Sequence, residues 1–168
     1  MIKRPRLWKL IERPPYNSGS EYCEALAHKG YRLSDWIIDI TCKSDFPVKT
    51  TLWPLPLVRV KLDMLGFLEP TTLKNFYEVA NKEGFENPPP EVALALRFKY
   101  DEQPTGEWLR VATKMGQMID SDGVPHLPKL GAALKCFYLE TYWAYPEAIF
   151  HPHNEFVMVD VYAVGCPA

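Results

Sequence analysis

The chain has 168 residues, 47% of them hydrophobic and 24% charged, which excludes a disordered or low-complexity protein and fits one globular domain. Its formal net charge of −2 is unevenly spread, because residues 1–13 carry five basic side chains and one acidic side chain. The acidic remainder predicts a poor general nucleic-acid binder, since phosphate contacts need basic residues.

Residues 1–17 are predicted to form a basic extended arm, followed by a single α+β domain over residues 18–168. Three prolines interrupt regular structure in the arm. The arm either binds phosphates or a partner, or docks on the body through apolar side chains such as Trp8 and Ile11. Docking is favoured, because five basic side chains neutralise few phosphates.

Three helices are predicted in the N-terminal half. The first begins at Ser20 and ends near Gly30. The second covers residues 35–43, where Trp36, Ile37 and Ile40 suit one helix face, and a strand is the alternative for this segment. The third covers residues 73–82, where apolar side chains recur at i, i+3, i+4 and i+7. Between the second and third helices, residues 57–64 alternate apolar and polar side chains, which predicts a strand with one face in water.

The C-terminal half is predicted to form strands. Residues 92–100 alternate apolar side chains, a turn signal follows at 103–106, and a second apolar run covers 108–113. This pattern predicts a hairpin with a buried face. A short helix beginning at the Pro-Pro-Glu sequence is the alternative for the start of the first strand.

Two further strands are predicted over residues 133–143 and 156–164. Both are apolar on both faces, which is typical of central strands or of strands covered by helices. The elements together predict an α+β fold with an antiparallel or mixed sheet of about five strands, mostly C-terminal. About three N-terminal helices are expected to pack on one face of that sheet.

The segment HPHNE at 151–155 is the first candidate site. His151 and His153 project to one side of an extended chain, which suits ligation of a divalent metal. The pattern resembles the cupin metal motif, an HxH followed by Glu, but here a single residue separates the second histidine from Glu155. The alternative is a pair of surface loop histidines, because a metal site needs at least three converging ligands. The further ligands considered are Glu155, His126 and Asp122.

Three other features have structural interpretations. The DSDG sequence at 120–123 predicts a turn, because its glycine comes too early for a calcium loop. Asp160 interrupts an apolar strand and is expected to pair with an arginine such as Arg97 or Arg110, or to face solvent, rather than to act as an acid or base. The aromatic side chains of residues 137–156 favour core packing, since base stacking on a sheet needs interleaved basic residues and only Lys135 is near in sequence.

Signatures of common enzymes are absent, including Walker A, GxGxxG, GxSxG and HExxH. The four cysteines form no CxxC pair, and the chain has neither an apolar leader nor a run of about 20 apolar residues, which predicts a cytoplasmic protein without a membrane segment. The leading hypothesis is a non-enzymatic binding module, oligomeric through the aromatic strands at 134–143 and 156–164 or bound to another protein. The alternative is a metal-binding protein or metal-dependent enzyme using His151, His153 and Glu155. Nucleic acid is expected only at the basic arm.

Overall fold

The structure is a computed structural model that describes residues 2–48 and 53–165. Within these residues the helices are α1 Gly19–His28, α2 Asp35–Thr41, α3 Leu73–Lys82 and α4 Glu91–Lys99. The strands are β1 Lys9–Ile11, β2 Arg32–Leu33, β3 Leu55–Lys61, β4 Thr71–Thr72, β5 Trp108–Val111, β6 His126–Ala133, β7 Cys136–Trp143, β8 Ile149–Phe150 and β9 Glu155–Val159. None of the described helices combines the length and the apolar character that crossing a membrane requires.

Seven strands form one mixed sheet in the order β1-β3-β9-β5-β6-β7-β2, and β4 pairs with β8 in a separate small sheet. The β5–β9 and β2–β7 pairs are parallel, and the other pairs of the large sheet are antiparallel. The predicted α+β class with a mixed sheet is confirmed, with more strands than the five expected.

The large sheet separates two hydrophobic cores. Helices α1, α2 and α4 pack on one face, whereas α3 and the small sheet cover part of the other. Adjacent residues of β3 show the division, since Leu57 belongs to the first core and Val58 to the second. The helices therefore do not all lie on one face as predicted, because β3 and β9 contribute apolar side chains to both cores and α3 covers the second one.

The predicted strand over residues 92–100 is wrong, because this segment forms α4. Every residue from 91 to 97 is buried. The helix thus has no polar stripe over that stretch, and its apolar side chains lack the 3.6-residue period. Pro90 precedes it in a helical conformation (φ −54°, ψ −33°), which the fixed φ of proline favours. The predicted hairpin is also wrong, since β5 pairs with β6 and β9 instead.

Strand β6 was not expected from the sequence, because Pro125 and Pro128 indicate a loop there. The N–H of Ala132 donates to the C=O of Glu107, the residue before β5. Because backbone groups alternate in direction along a strand, the N–H and C=O groups of the even-numbered residues of β6 all point toward β5. Strand β5 pairs only with residues 129–131 of β6. Pro128 lies outside that register, so its missing N–H costs no hydrogen bond of the sheet.

The first residues of the chain contact the body closely. Strand β1 pairs antiparallel with β3, and Ile11 is buried in the first core. The Arg4 guanidinium donates to both carboxylate oxygens of Asp160, at 3.1 and 3.0 Å, and Arg13 Nε lies 2.9 Å from the Glu91 carboxylate. Asp160 therefore pairs with Arg4, an arginine outside the two that the sequence suggested.

Candidate functional site

Strand β7 is uncovered along part of its outer side. Strand β2 is two residues long and pairs with Tyr138 and Leu139. Beyond Leu139, β7 therefore pairs with β6 alone within the described part of the chain. The uncovered segment, residues 140–143, is called the β7 edge below.

Two neighbouring hydrogen bonds give the direction of the backbone at the β7 edge. The C=O of Leu139 accepts from Ser34 on the outer side, whereas the N–H of Ala144 donates to the residue before β6. Backbone groups alternate in direction along an antiparallel strand. The N–H and C=O groups of Thr141 and Trp143 therefore point outward, where an added strand would meet them.

Two half-exposed tryptophans flank the β7 edge. Trp36 of α2 and Trp143 of β7 are 49% and 48% exposed, and their ring centroids lie 5.9 Å apart. Both pack against the imidazole of His126, at centroid distances of 5.6 and 5.4 Å. A cavity of about 240 Å³ is lined by these three rings together with Lys129, Thr141 and Tyr142.

His126 is buried, and a hydrogen bond at each ring nitrogen fixes its orientation. Nδ1 lies 2.9 Å from Thr141 Oγ1, and Nε2 lies 2.8 Å from Asp120 Oδ2. The second carboxylate oxygen of Asp120 accepts from the N–H groups of Asp122 and Val124, which closes the predicted turn at 120–123. The hydrogen bond with His126, and then these N–H groups, lower the pKa of Asp120. His126 thus supports the two tryptophans rigidly.

The two edges of the large sheet differ in their protection. Strand β1 is three residues long, begins with Lys9 and is followed by Pro14 and Pro15. Short, charged, proline-flanked edges resist pairing with other chains. The β7 edge reads Glu-Thr-Tyr-Trp, without lysine or proline, and three of these four residue types are favoured in strands. The β7 edge therefore lacks the features that prevent another strand from pairing with it.

The structure does not bring the four predicted metal ligands together. The rings of His151 and His153 lie 5.8 Å apart, and both side chains are exposed. Glu155 instead pairs with Arg59 at 2.6 Å, and both nitrogens of His126 are engaged by Thr141 and Asp120. Among residues 2–48 and 53–165, no three His, Cys, Asp or Glu side chains are grouped closely enough to hold a metal ion. Metal binding stays a prediction that rests on two neighbouring imidazoles.

A larger groove of about 550 Å³ lies beside α3. Three of its polar side chains are engaged with the backbone, since the Tyr77 hydroxyl donates to the Thr113 C=O. The side-chain amides of Asn81 and Asn87 likewise donate to backbone carbonyls. These groups hold the loops in place, and the groove is also lined by the charged side chains of Lys74, Glu78, Lys114 and Glu147.

Sequence reasoning identified this site only in part, through the aromatic strand at 134–143 proposed for partner contacts and through His126 as a candidate metal ligand. It placed Trp36 on the buried face of its helix and His126 in a loop, and it gave Thr141 no role. No protein-family model, curated protein or solved structure matches the chain. The fold and the site themselves define the class, which is an α+β domain with a mixed sheet, one unprotected strand edge and an aromatic pair beside it.

Proposed function

We propose that the protein is a non-enzymatic binding module that accepts an extended segment of a protein partner along the β7 edge. The observation that carries this proposal is the outward-pointing backbone of Thr141 and Trp143 beside two half-exposed tryptophans. A partner strand would gain backbone hydrogen bonds there and would bury Trp36 and Trp143. Exposed aromatic side chains are enriched at protein interfaces, and tryptophan is enriched among the residues that dominate binding energy.

The geometry favours a partner segment with alternating side chains. Side chains on one face of an added strand would meet Trp36, Trp143 and the adjoining cavity, which suits apolar or aromatic residues. A second copy of this chain is the alternative occupant. Thr141 of one copy opposite Trp143 of the other would place Tyr142 on a two-fold axis and pair the two tyrosines.

Peptides selected from a random library of ~10-residue segments on the full-length protein are expected to show alternating apolar residues. Replacing both Trp36 and Trp143 by alanine is expected to weaken the selected peptides roughly tenfold or more, because the aromatic contact surface is lost. Fluorescence anisotropy of a labelled peptide measures the affinity. Trp108→Ala is the matched control, since Trp108 is also part-exposed but lies on the opposite face of the sheet.

Thr141→Pro is a second test of the same proposal. It removes an outward N–H without removing a hydrogen bond to β6, so it blocks strand addition while the sheet keeps its ladder. Thr141→Val is its control, because valine also lacks the hydroxyl that contacts His126 but keeps the N–H. Sedimentation of the unliganded protein identifies the second-copy alternative, which Thr141→Pro would dissociate. The proposal is wrong if no peptide is selected and the protein sediments as a monomer at every concentration tested.

The location we infer for this module is the cytoplasm. Cys23, Cys42 and Cys136, the cysteines in the described part of the chain, are all free thiols. Free thiols are the usual state in a reducing compartment.

Binding of a divalent metal by His151 and His153 is a second candidate function. It is supported by the near-parallel rings of these side chains, which are inclined by 22°. If this second candidate is correct, protein purified with added zinc would contain stoichiometric metal, and His151→Ala would remove it. His28→Ala, at another exposed histidine, is the control and would leave the metal content unchanged. The leading proposal instead expects less than stoichiometric zinc in elemental analysis, because two exposed imidazoles alone make a weak site.

A further inference from the structure

A second surface lies on the sheet face opposite Trp36 and Trp143. Side chains alternate between faces along each strand, and β5, β6 and β7 together present cations and aromatic rings here. The strand register places Arg110 opposite Lys129, and Lys129 opposite Glu140. The aromatic side chains of this face are Trp108, Tyr138 and Tyr142.

Arg110 is a half-buried cation without a counter-ion among the described residues. Its Nε is shielded from solvent and has no hydrogen-bond partner. Among the described residues it makes no ion pair. Its guanidinium lies instead over two rings, 4.7 Å from the Tyr142 centroid and 5.3 Å from that of Phe150. The rings hold the guanidinium in place without neutralising its charge.

Lys129 places a second cation beside Arg110. Its Nζ lies 4.9 Å from the Trp108 ring centroid. Burial lowers the pKa of both side chains, and Glu140 opposes this shift at Lys129 while Arg110 adds to it. Two like charges partly withdrawn from water raise the free energy of the unliganded protein, and a bound anion would lower it.

Trp108 provides a flat apolar surface next to these cations. Gly131 permits its position, because a Cβ there would lie 2.2 Å from Cζ3 of the indole. The side chain is nonetheless 39% exposed, so part of the ring is open to a ligand. Trp108 and Arg110 are two residues apart on β5, about 6.6 Å along the strand, and a single small molecule can therefore contact both.

We propose that this face binds a nucleotide, with its phosphate at Arg110 and Lys129 and its base stacked on Trp108. Sheets that bind single-stranded nucleic acid combine stacking rings with interleaved basic side chains. In sequence order only Lys135 accompanies the aromatic residues, but the strand register supplies Arg110 and Lys129 between them. The ligand is a free mononucleotide or a nucleotide within a single strand, since both present the same phosphate and base.

Calorimetric titration of the full-length protein with adenosine monophosphate, adenosine and inorganic phosphate tests the proposal. The monophosphate is expected to bind more tightly than either of its parts. Arg110→Gln and Lys129→Gln are each expected to weaken it about tenfold, because a hydrogen bond to a charged group is lost. Trp108→Leu is expected to weaken the monophosphate but not inorganic phosphate. Lys61→Gln, at an exposed lysine outside this face, is the matched control.

Glu140→Gln is the variant that keeps the test decisive if Arg110→Gln fails to fold. It removes the acid opposite Lys129 and is expected to strengthen monophosphate binding several-fold. The proposal would be overturned if Lys129→Gln and Glu140→Gln both left monophosphate binding unchanged. It would also be overturned if neither adenosine monophosphate nor an oligoadenylate bound at millimolar concentration.

An oligoadenylate of about six nucleotides is the second probe. Tighter, salt-sensitive binding of this oligonucleotide would show that the ligand is a nucleotide within a single strand. The nucleotide test is separate from the peptide test, because Arg110 and Lys129 lie on β5 and β6 rather than on the β7 edge.

Discussion

Removal of residues 1–13 is expected to unfold the protein rather than to leave a folded body without its arm. Glu91 and Asp160 are 0% and 1% exposed, and the arm supplies the arginine next to each of them. Removing one partner of a buried ion pair costs about 3–5 kcal/mol, because the remaining carboxylate loses its counter-ion. Two such losses approach the whole stability of an ordinary domain, about 5–15 kcal/mol. The loss of β1 from β3 adds to this cost.

Urea unfolding followed by circular dichroism measures this effect in single variants. Arg4→Ala and Arg13→Ala are each expected to lower the free energy of unfolding by about 3 kcal/mol. Lys3→Ala and Arg6→Ala are matched controls at exposed cations of the same segment, and a change within about 0.5 kcal/mol is expected for them. If the truncated protein had the same urea unfolding midpoint as the full chain, the ion pairs of Arg4 and Arg13 would not stabilise the fold.

The same contacts limit what the arm offers to nucleic acid. Arg4, Lys9 and Arg13 are engaged with carboxylates of the body. Lys3 and Arg6 are the exposed cations of this segment. Two charges give a shallow salt dependence of binding. Variants at Lys3 and Arg6 therefore test nucleic-acid binding by the arm without the unfolding that truncation is expected to cause.

The elements that sequence predicted well are those with one face in water. Helix α3 begins and ends at the predicted residues, because its apolar side chains follow a clear helical period. Helix α4 has no such period, since it is buried on all sides along residues 91–97. Its apparent alternation then imitated a strand. Strand β6 was missed for a different reason. Pro128 interrupts a strand only where the neighbouring strand needs its N–H, and the sequence does not show how β5 is aligned with β6.

The candidate site depends on contacts between distant segments, and sequence alone does not contain them. Trp36 and Ile37 were assigned to one helix face, but adjacent residues of a helix point about 100° apart and only Ile37 faces the core. The β7 edge exists because β2 stops after two residues. The second aromatic strand proposed for oligomer contacts, at 156–164, begins in β9, which pairs with β3 and β5 and has no free edge. This leaves β7 as the strand of the two that is open to a partner.

Arg97→Met is expected to lower the free energy of unfolding by about 3 kcal/mol, the second large effect in this protein. Arg97 of α4 is fully buried, and burial lowers its pKa to about 10. Its Nη1 donates to Gln103 Oε1 at 2.7 Å and to the backbone carbonyls of Gly131 and Tyr138 at 3.2 and 3.1 Å. Its Nη2 donates to the Tyr100 carbonyl. Methionine fills similar space but leaves four acceptors without this donor.

Arg97→Lys distinguishes loss of charge from loss of the forked donor. Lysine keeps the charge but carries its donors on one nitrogen, and it loses the planar contact of Arg97 with Phe137, now 4.7 Å from the ring centroid. An intermediate loss of stability is therefore expected, and Arg32→Met at an exposed arginine is the control. Because Arg97 joins α4 to β6 and β7, its loss is also expected to speed amide hydrogen exchange in β7 before other strands. Arg97→Met with unchanged stability would mean that the apolar packing around α4, rather than these hydrogen bonds, holds the helix against the sheet.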